Sequence, residues 1–182
     1  MSSLSVKHLH GDHELILQAL DVMREMTDRM ERQVAVARGD LRLLLEFLAE
    51  FAHGYHDGKE QSILIPALLD AGHSLRESPL NDLISDHRKI HEAARNLMSA
   101  LHSGNDKKTA KLSERYGTLL TKHLLDEERL LFDTVTESVD DLTDYQVWKQ
   151  LNEFEPGLRE RLKAKFDSVV RILDRKYQCT GG

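Results

Sequence analysis

Cysteine, proline, glycine and aromatic residues are all scarce in this chain, and each scarcity removes an architecture. The one cysteine, Cys179, sits near the C-terminal end beside Thr180, so neither an intrachain disulfide nor a cysteine-based metal site is available. With 10 Gly and 3 Pro in 182 residues there are too few turn formers for a many-stranded sandwich. No period-2 alternation runs long enough to support a sheet. Long apolar runs are missing too. No stretch approaches the ~20 apolar residues of a spanning helix, and Met1 to His10 lack the apolar stretch of a signal peptide, so the sequence predicts a cytoplasmic protein with no membrane partner. A basic excess is also absent. The net charge of −6 and pI near 5.9 give no footprint for a phosphate backbone, and nucleic acid is excluded as a partner.

What remains is a soluble, all-α chain of one domain, 40% hydrophobic and 31% charged. Gly and Pro punctuate it into four long segments and a tail. The first runs from about Ser5 into the thirties before Gly39. The second starts with Asp40 as N-cap and runs to Ala71, with Pro66 expected to kink or end it early. The third opens at Ser78-Pro79 and stops at Ser103-Gly104-Asn105. The fourth runs from Asp106 to about Ser138. Short connections between long helices favour antiparallel neighbours, which predicts an up-down-up-down four-helix bundle over residues 1–138. Residues 139–182 are expected to add C-terminal helices packed on it within the same domain. These are a short helix and then a longer one from Pro156 to Lys176, with the acidic run Glu137 to Asp144 as a solvated connector.

Histidine is the residue in excess, with 10 copies. Each long segment carries one on its apolar stripe: His13 with Ile16, Leu17 and Leu20; His56 with Leu45, Leu48, Ala52 and Leu64; His87 with Leu83, Ile84 and Ala94; His123 with Leu119, Leu120 and Leu131. Three have a second ligand-type residue four positions on: His56 with Glu60, His87 with His91, and His123 with Glu127. A step of four rotates only ~40° on a helix, so each pair presents two groups on one face, a chelating geometry. Imidazole and carboxylate together suit iron, manganese or zinc, and five imidazoles with two carboxylates exceed what one ion accepts. Two ions bridged by the carboxylates use the set. A lone stripe histidine is more often a hydrogen-bonded core group, but two carboxylates buried on the same stripes are costly unless coordinated.

Counting from the turns places the pairs of the second, third and fourth segments at one height within roughly a turn. Between the first two the count is about 26 residues against 19. Either the first helix ends near Glu31 to Gln33, or it overhangs the bundle, or His13 is not its ligand. Glu128 competes with Glu127, but on a regular helix it is rotated ~140° from His123 against ~40°. His8, His73 and His102 are expected in solvent, Asp57, Asp86 and Asp126 in solvent or behind the ligands, and His10 and His53 at most beside the site.

At these residues the chain resembles the hemerythrin family, in its HHE cation-binding branch. The stretch from His56-Asp57-Gly58-Lys59-Glu60 to Leu64-Ile65-Pro66 is similar to the branch's second-helix signature, with Asp57 in place of a second histidine and Ile65 in place of phenylalanine. Asp12-His13-Glu14, Asp86-His87 with His91, and His123-Leu124-Leu125-Asp126-Glu127-Glu128 resemble the other three. The resemblance covers roughly residues 5–135. It implies two non-heme iron ions, His13 and His56 serving one, His87, His91 and His123 the other, with Glu60 and Glu127 bridging. It also implies an open position for dioxygen or a related small diatomic, bound or sensed. Iron handling, repair of nitric oxide or peroxide damage, and a zinc-bound or metal-free structural bundle are the other classes. Zinc or manganese are the alternative occupants, and a homodimer stays open.

Overall fold

In the computed structural model, which describes residues 3–74 and 79–178, the chain is helical almost throughout, with no strand among the described residues. Helix α1 is Leu4–Glu31. Helix α2, residues 38–70, runs α-helical over Arg38–Leu48, widens to a π-helix over Ala49–His56, returns briefly at Asp57–Lys59, widens again over Glu60–Leu64 and ends as Ile65–Asp70. Helix α3 is Pro79–Ser103. Helix α4, residues 106–138, carries a π segment at Glu127–Phe132 between Asp106–Asp126 and Asp133–Ser138. Then follow α5 (Asp141–Glu153), α6 (Leu158–Ser168) and α7 (Val170–Gln178). No described helix is long and apolar enough to cross a membrane.

Several boundaries differ from the sequence reading for local reasons. Helix α1 stops at Glu31, where Gln33 takes φ 59° and six residues bring the chain back to Arg38, which removes the height mismatch between the first two segments. Asp40 is not the N-cap of α2. It lies in the first turn, and its carboxylate accepts from the Tyr177 hydroxyl (2.7 Å) and from Lys176, tying α7 to the base of α2. Pro66 does not end α2, because it follows a π turn whose widened register already displaces the carbonyl its ring would strike. The third helix begins at Pro79 as expected, while Ser78 and Cys179 lie outside the described residues. Gly104 closes α3 at φ 75°, and a Cβ there would lie 2.6 Å from Arg38 Nη1, the guanidinium that donates to the Gly104 carbonyl and to Asp106. The long C-terminal helix is broken at Val169.

Two apolar cores organise the interior. One gathers Ile16, Leu20, Met23, Leu44, Leu48, Phe51, Tyr55, Ile90, Leu97, Tyr116, Leu120 and Leu124, with Leu162, Phe166 and Leu173 from the C-terminal helices. The other gathers Leu9, Leu64, Leu68, Leu83, Leu131, Phe132 and Val135, with Val147 and Leu151. Each long helix passes from one core to the other, and at each crossing stands a stripe residue of the predicted set: His13 on α1, His56 and Glu60 on α2, His87 on α3, His123 and Glu127 on α4. The polar layer is thus held at one level by apolar packing on both sides.

Glu137, Asp140 and Asp141 of the acidic connector stay in water, but its last residue does not. Asp144 is buried, and its carboxylate accepts from the Ser3 hydroxyl (2.7 Å), the Leu4 amide (2.7 Å), the Ser5 amide (3.2 Å) and the Ser5 hydroxyl. The first turn of α1 has orphan donors and no acid of its own, and Asp144 supplies the acceptor from α5. Burial pushes this carboxyl up, but the donors from Ser5, Ser3 and Leu4 outweigh it and hold the group below its ordinary value. Asp144→Ala should cost roughly 2–3 kcal/mol in urea unfolding at neutral pH. Because the folded-state pKa is depressed, the contribution of Asp144 is complete above the unfolded value near ~4 and disappears as pH falls through the folded value. The variant and the parent should therefore converge in strong acid.

A buried histidine–carboxylate layer

The four stripe histidines turn the same atom inward. Nε2 of His13 and Nε2 of His56 are 3.2 Å apart; Nε2 of His87 lies 3.3 Å from Glu127 and 3.5 Å from Glu60; Nε2 of His123 lies 2.7 Å from Glu127. All six of these side chains are at most 5% exposed, and that of Glu127 is fully enclosed. The His13–His56 and His87–Glu127 contacts have hydrogen-bond geometry, and the others are close but poorly aligned. Despite the 2.7 Å distance, His123 Nε2 makes no hydrogen bond of acceptable angle, and Glu60 Oε1, Glu127 Oε2 and His123 Nδ1 are also buried without a partner. Lone pairs that converge on a common point instead of facing donors are what a cation site requires, and a buried polar core would not leave so many atoms unpaired.

The carboxylates divide their oxygens. Glu60 turns Oε1 to His56 (3.7 Å) and Oε2 to His87 (3.5 Å). Glu127 turns Oε2 to His13 (3.4 Å) and His56 (3.7 Å), and Oε1 to His87 (3.3 Å) and His123 (2.7 Å). Two donor groups result, with both carboxylates between them: His13, His56, Glu60 and Glu127 on one side, Asp57, His87 and His123 on the other. Burial and the neighbouring Glu127 push the Glu60 carboxyl up to about 7, while contacts with His123, His13, His56 and His87 overcome burial and hold Glu127 well below its usual range. Burial would lower His87, but Glu127 and Glu60 carry it to about 10.

His91 does not join the inner layer. Its Nε2 meets Asp57 Oδ2 at 2.8 Å, and it is partly exposed. Asp57, expected in solvent or behind the ligands, is buried and turns Oδ1 toward His87 (3.8 Å), while His53 approaches Oδ2 at 3.6 Å. His53 in turn bonds the Tyr116 hydroxyl at 2.9 Å. Burial would raise the Asp57 carboxyl, yet His53 and His91 hold it low, so it stands as a carboxylate with one oxygen free for the inner layer. The two π segments around Asp57–Lys59 account for the change. An extra residue per turn rotates the stripe, and stripe counting at 100° per residue fails across it. The signal available in sequence was Asp57 itself, three residues before Glu60 and four after His53.

A second tier backs the inner histidines. His13 Nδ1 donates to Glu128 Oε1 at 3.0 Å, so Glu128 sits behind the imidazole and Glu127 in front of it. The Gln61 amide lies 3.0 Å from His87 Nδ1. Asp12 lies 3.6 Å from His56 Nδ1 and is ion-paired with Lys59, which is wholly buried and lies 4.1 Å over the Tyr55 ring. Glu128 fixes the His13 tautomer that leaves Nε2 free as a ligand atom, and Asp12 places its charge beside His56 Nδ1, whereas the Gln61 amide donates to His87 Nδ1. Burial pushes Asp12 up, but His56 and Lys59 bring it to about 2. His8, expected in solvent, is instead buried within 3.1 Å of Lys59, and burial followed by the Lys59 charge lowers it to about 4. His10 stays half exposed, 3.7 Å from both Glu14 and Glu128.

Lys59→Met should therefore destabilise the chain by about 3–5 kcal/mol in urea unfolding, because it strands the Asp12 carboxylate in a dry interior. Lys59→Met combined with Asp12→Asn should recover most of the loss; equal loss in both variants would show that the lysine acts through packing alone.

The model of the hemerythrin HHE cation binding domain family matches residues 4–135, which is α1 through the last turns of α4. No curated protein and no solved structure matches the chain.

Proposed function

Because the chain belongs to the hemerythrin family of HHE cation-binding domains, we propose that its polar layer holds two non-heme iron ions bridged by Glu60 and Glu127. The observation that carries this reading is the division of each bridging carboxylate between two groups of imidazole nitrogens. His13 and His56 would hold one ion, and His87 and His123 the other. Asp57 supports a third place on the second side, with His91 and His53 holding it in position. The order in which the long helices cross between the two cores, reversing from each to the next, supports the up-down-up-down bundle.

When bound, a ferrous pair supplies two electrons and a coordination site for dioxygen or a related diatomic. The chain's own residues set the terms. Beyond the two shared carboxylates, the first side has two donors and the second has three, which leaves the first side the less filled. Phe132, stacked on His13 at 5.1 Å between centroids, and Leu9 and Leu64 close that side against water. A dry, donor-poor position favours a small neutral ligand over hydrolytic chemistry. We read the protein as one that binds or senses such a ligand. Iron handling or redox repair shares the site and differs in needing turnover.

Metal analysis of protein from iron-supplied cells, with visible spectra through deoxygenation and reoxygenation, tests the proposal: about two irons per chain and a reversible oxygen-dependent band are expected. Two irons without reversibility would favour redox handling, and no iron would favour zinc or an empty bundle. Asp57→Asn should weaken the second ion, whereas His91→Ala should leave two ions bound at lower affinity. Glu128→Gln should weaken metal affinity roughly 10–100-fold without changing stoichiometry. Loading should release protons, since His56 stands well above its ordinary value and His87 at about 10 in the metal-free chain. Affinity should accordingly fall as pH is lowered, which competition with a chelator across pH would measure.

A further inference from the structure

A cavity of about 440 Å³ opens at the surface between α2 and α3, and its lining is unlike the rest of this acidic chain. Gln61 and Ile65 face it from α2; Ile84, His87, Arg88, His91 and Arg95 face it from α3. Arg88 and Arg95 are seven residues apart on α3, on one stripe with His91 between them. Neither guanidinium is in an ion pair with a carboxylate among the described residues. Other helix-surface cations divide between paired ones, as Lys89 with Asp86 and Lys165 with Glu50, and unpaired ones such as Lys111, Arg115 and Lys163; what sets Arg88 and Arg95 apart is that they share one cavity. Across the cavity, where a partner for Arg88 or Arg95 would stand, α2 offers an amide and an isoleucine. No carboxylate lines the cavity, so two positive charges on exposed side chains stand beside Ile65 and Ile84 with nothing in the lining to neutralise them.

The cavity also has a defined inner side. His87 is reached from it, and its other nitrogen is in the buried layer; His91 is reached from it, and its Nε2 is on Asp57. An occupant would stand one imidazole away from both second-side groups.

We propose that this cavity is an anion vestibule, in which Arg88 and Arg95 hold a small inorganic oxyanion over the edges of His87 and His91. Arginine pairs suit oxyanions because their forked donors meet two oxygens at once, and the charge gathers anions that the chain's net −6 would otherwise repel. The binding itself needs no metal; only its consequence, a charge-selective approach to the second ion, rests on the two-iron reading.

The test uses the metal-free full chain and inorganic phosphate as probe, followed by amide and imidazole NMR shifts. Saturable shifts at Gln61, Arg88, His91 and Arg95 are expected, weakening steeply with added sodium chloride. Arg88→Gln with Arg95→Gln should weaken binding roughly ten-fold or more. Arg42→Gln, which removes an exposed Arg42–Glu46 pair outside the cavity, should leave it unchanged. Absence of saturable shifts in the parent, or equal affinity in the double variant, would overturn the vestibule. Because phosphate is tested without iron, that outcome is separate from failure of the chain to take up two irons.

Discussion

Everything in this structure is arranged around one electrostatic problem: two carboxylates placed at mid-height in an apolar bundle. Glu60 and Glu127 have essentially no exposed surface, and burial first and repulsion from Glu127 second drive Glu60 upward while Glu127 stays ionised. A domain has only about 5–15 kcal/mol of net stability, and unpaired buried charges would consume it. Four inward imidazoles relieve part of the cost in the metal-free chain, and two divalent cations would relieve the rest. The apolar cores above and below are therefore more than filling. They hold four helices at the one height at which the Nε2 atoms meet the carboxylates, and a slip of one turn, ~5.4 Å, on any helix would undo the layer.

The same constraint explains the second tier. An imidazole that presents Nε2 to a cation must keep its proton on Nδ1, and each orienting partner introduces a further polar group that needs its own partner. On one side this chain of dependence runs His56 to Asp12 to Lys59 to His8, entirely within the interior. On the other side it runs from Asp57 to His91, and there it reaches solvent. The bend between α5 and α6 contributes Phe154, packed against Tyr55 (5.8 Å) and close over Gly58, so a covering element closes the Lys59 side.

Much of this was legible in sequence because helix periodicity and ligand spacing are local properties. The stripe positions of His13, His56, His87 and His123, the i,i+4 partners Glu60 and Glu127, and the four long helices follow from rotation per residue alone. The same arithmetic left Asp57 between solvent and a place behind the ligands and gave no hint of Lys59, because three π segments change the rotation where the ligands cluster. Asp144 was read as solvated because an acidic connector carries no mark of the helix start that it will cap 140 residues away. His8 was assigned to solvent for the same reason: what buries it is Lys59, from another helix. Local rules give faces and heights, and long-range partners decide which polar residues leave water.

The two sides of the layer therefore differ in kind. Toward Lys59 the polar chain is sealed, and its charges are matched internally, so nothing there invites exchange with solvent. Toward His91 the polar chain ends at a cavity whose arginines are not matched by any carboxylate lining it. The neutral Gln61 and Ile65 opposite Arg88 and Arg95 leave positive charge facing solvent beside His87 and His91. A sealed side suits fixing the inner imidazoles, and an open, positively charged side suits exchange; on the two-iron reading proposed above, this asymmetry would put selection of what approaches the layer on α3, between residues 88 and 95.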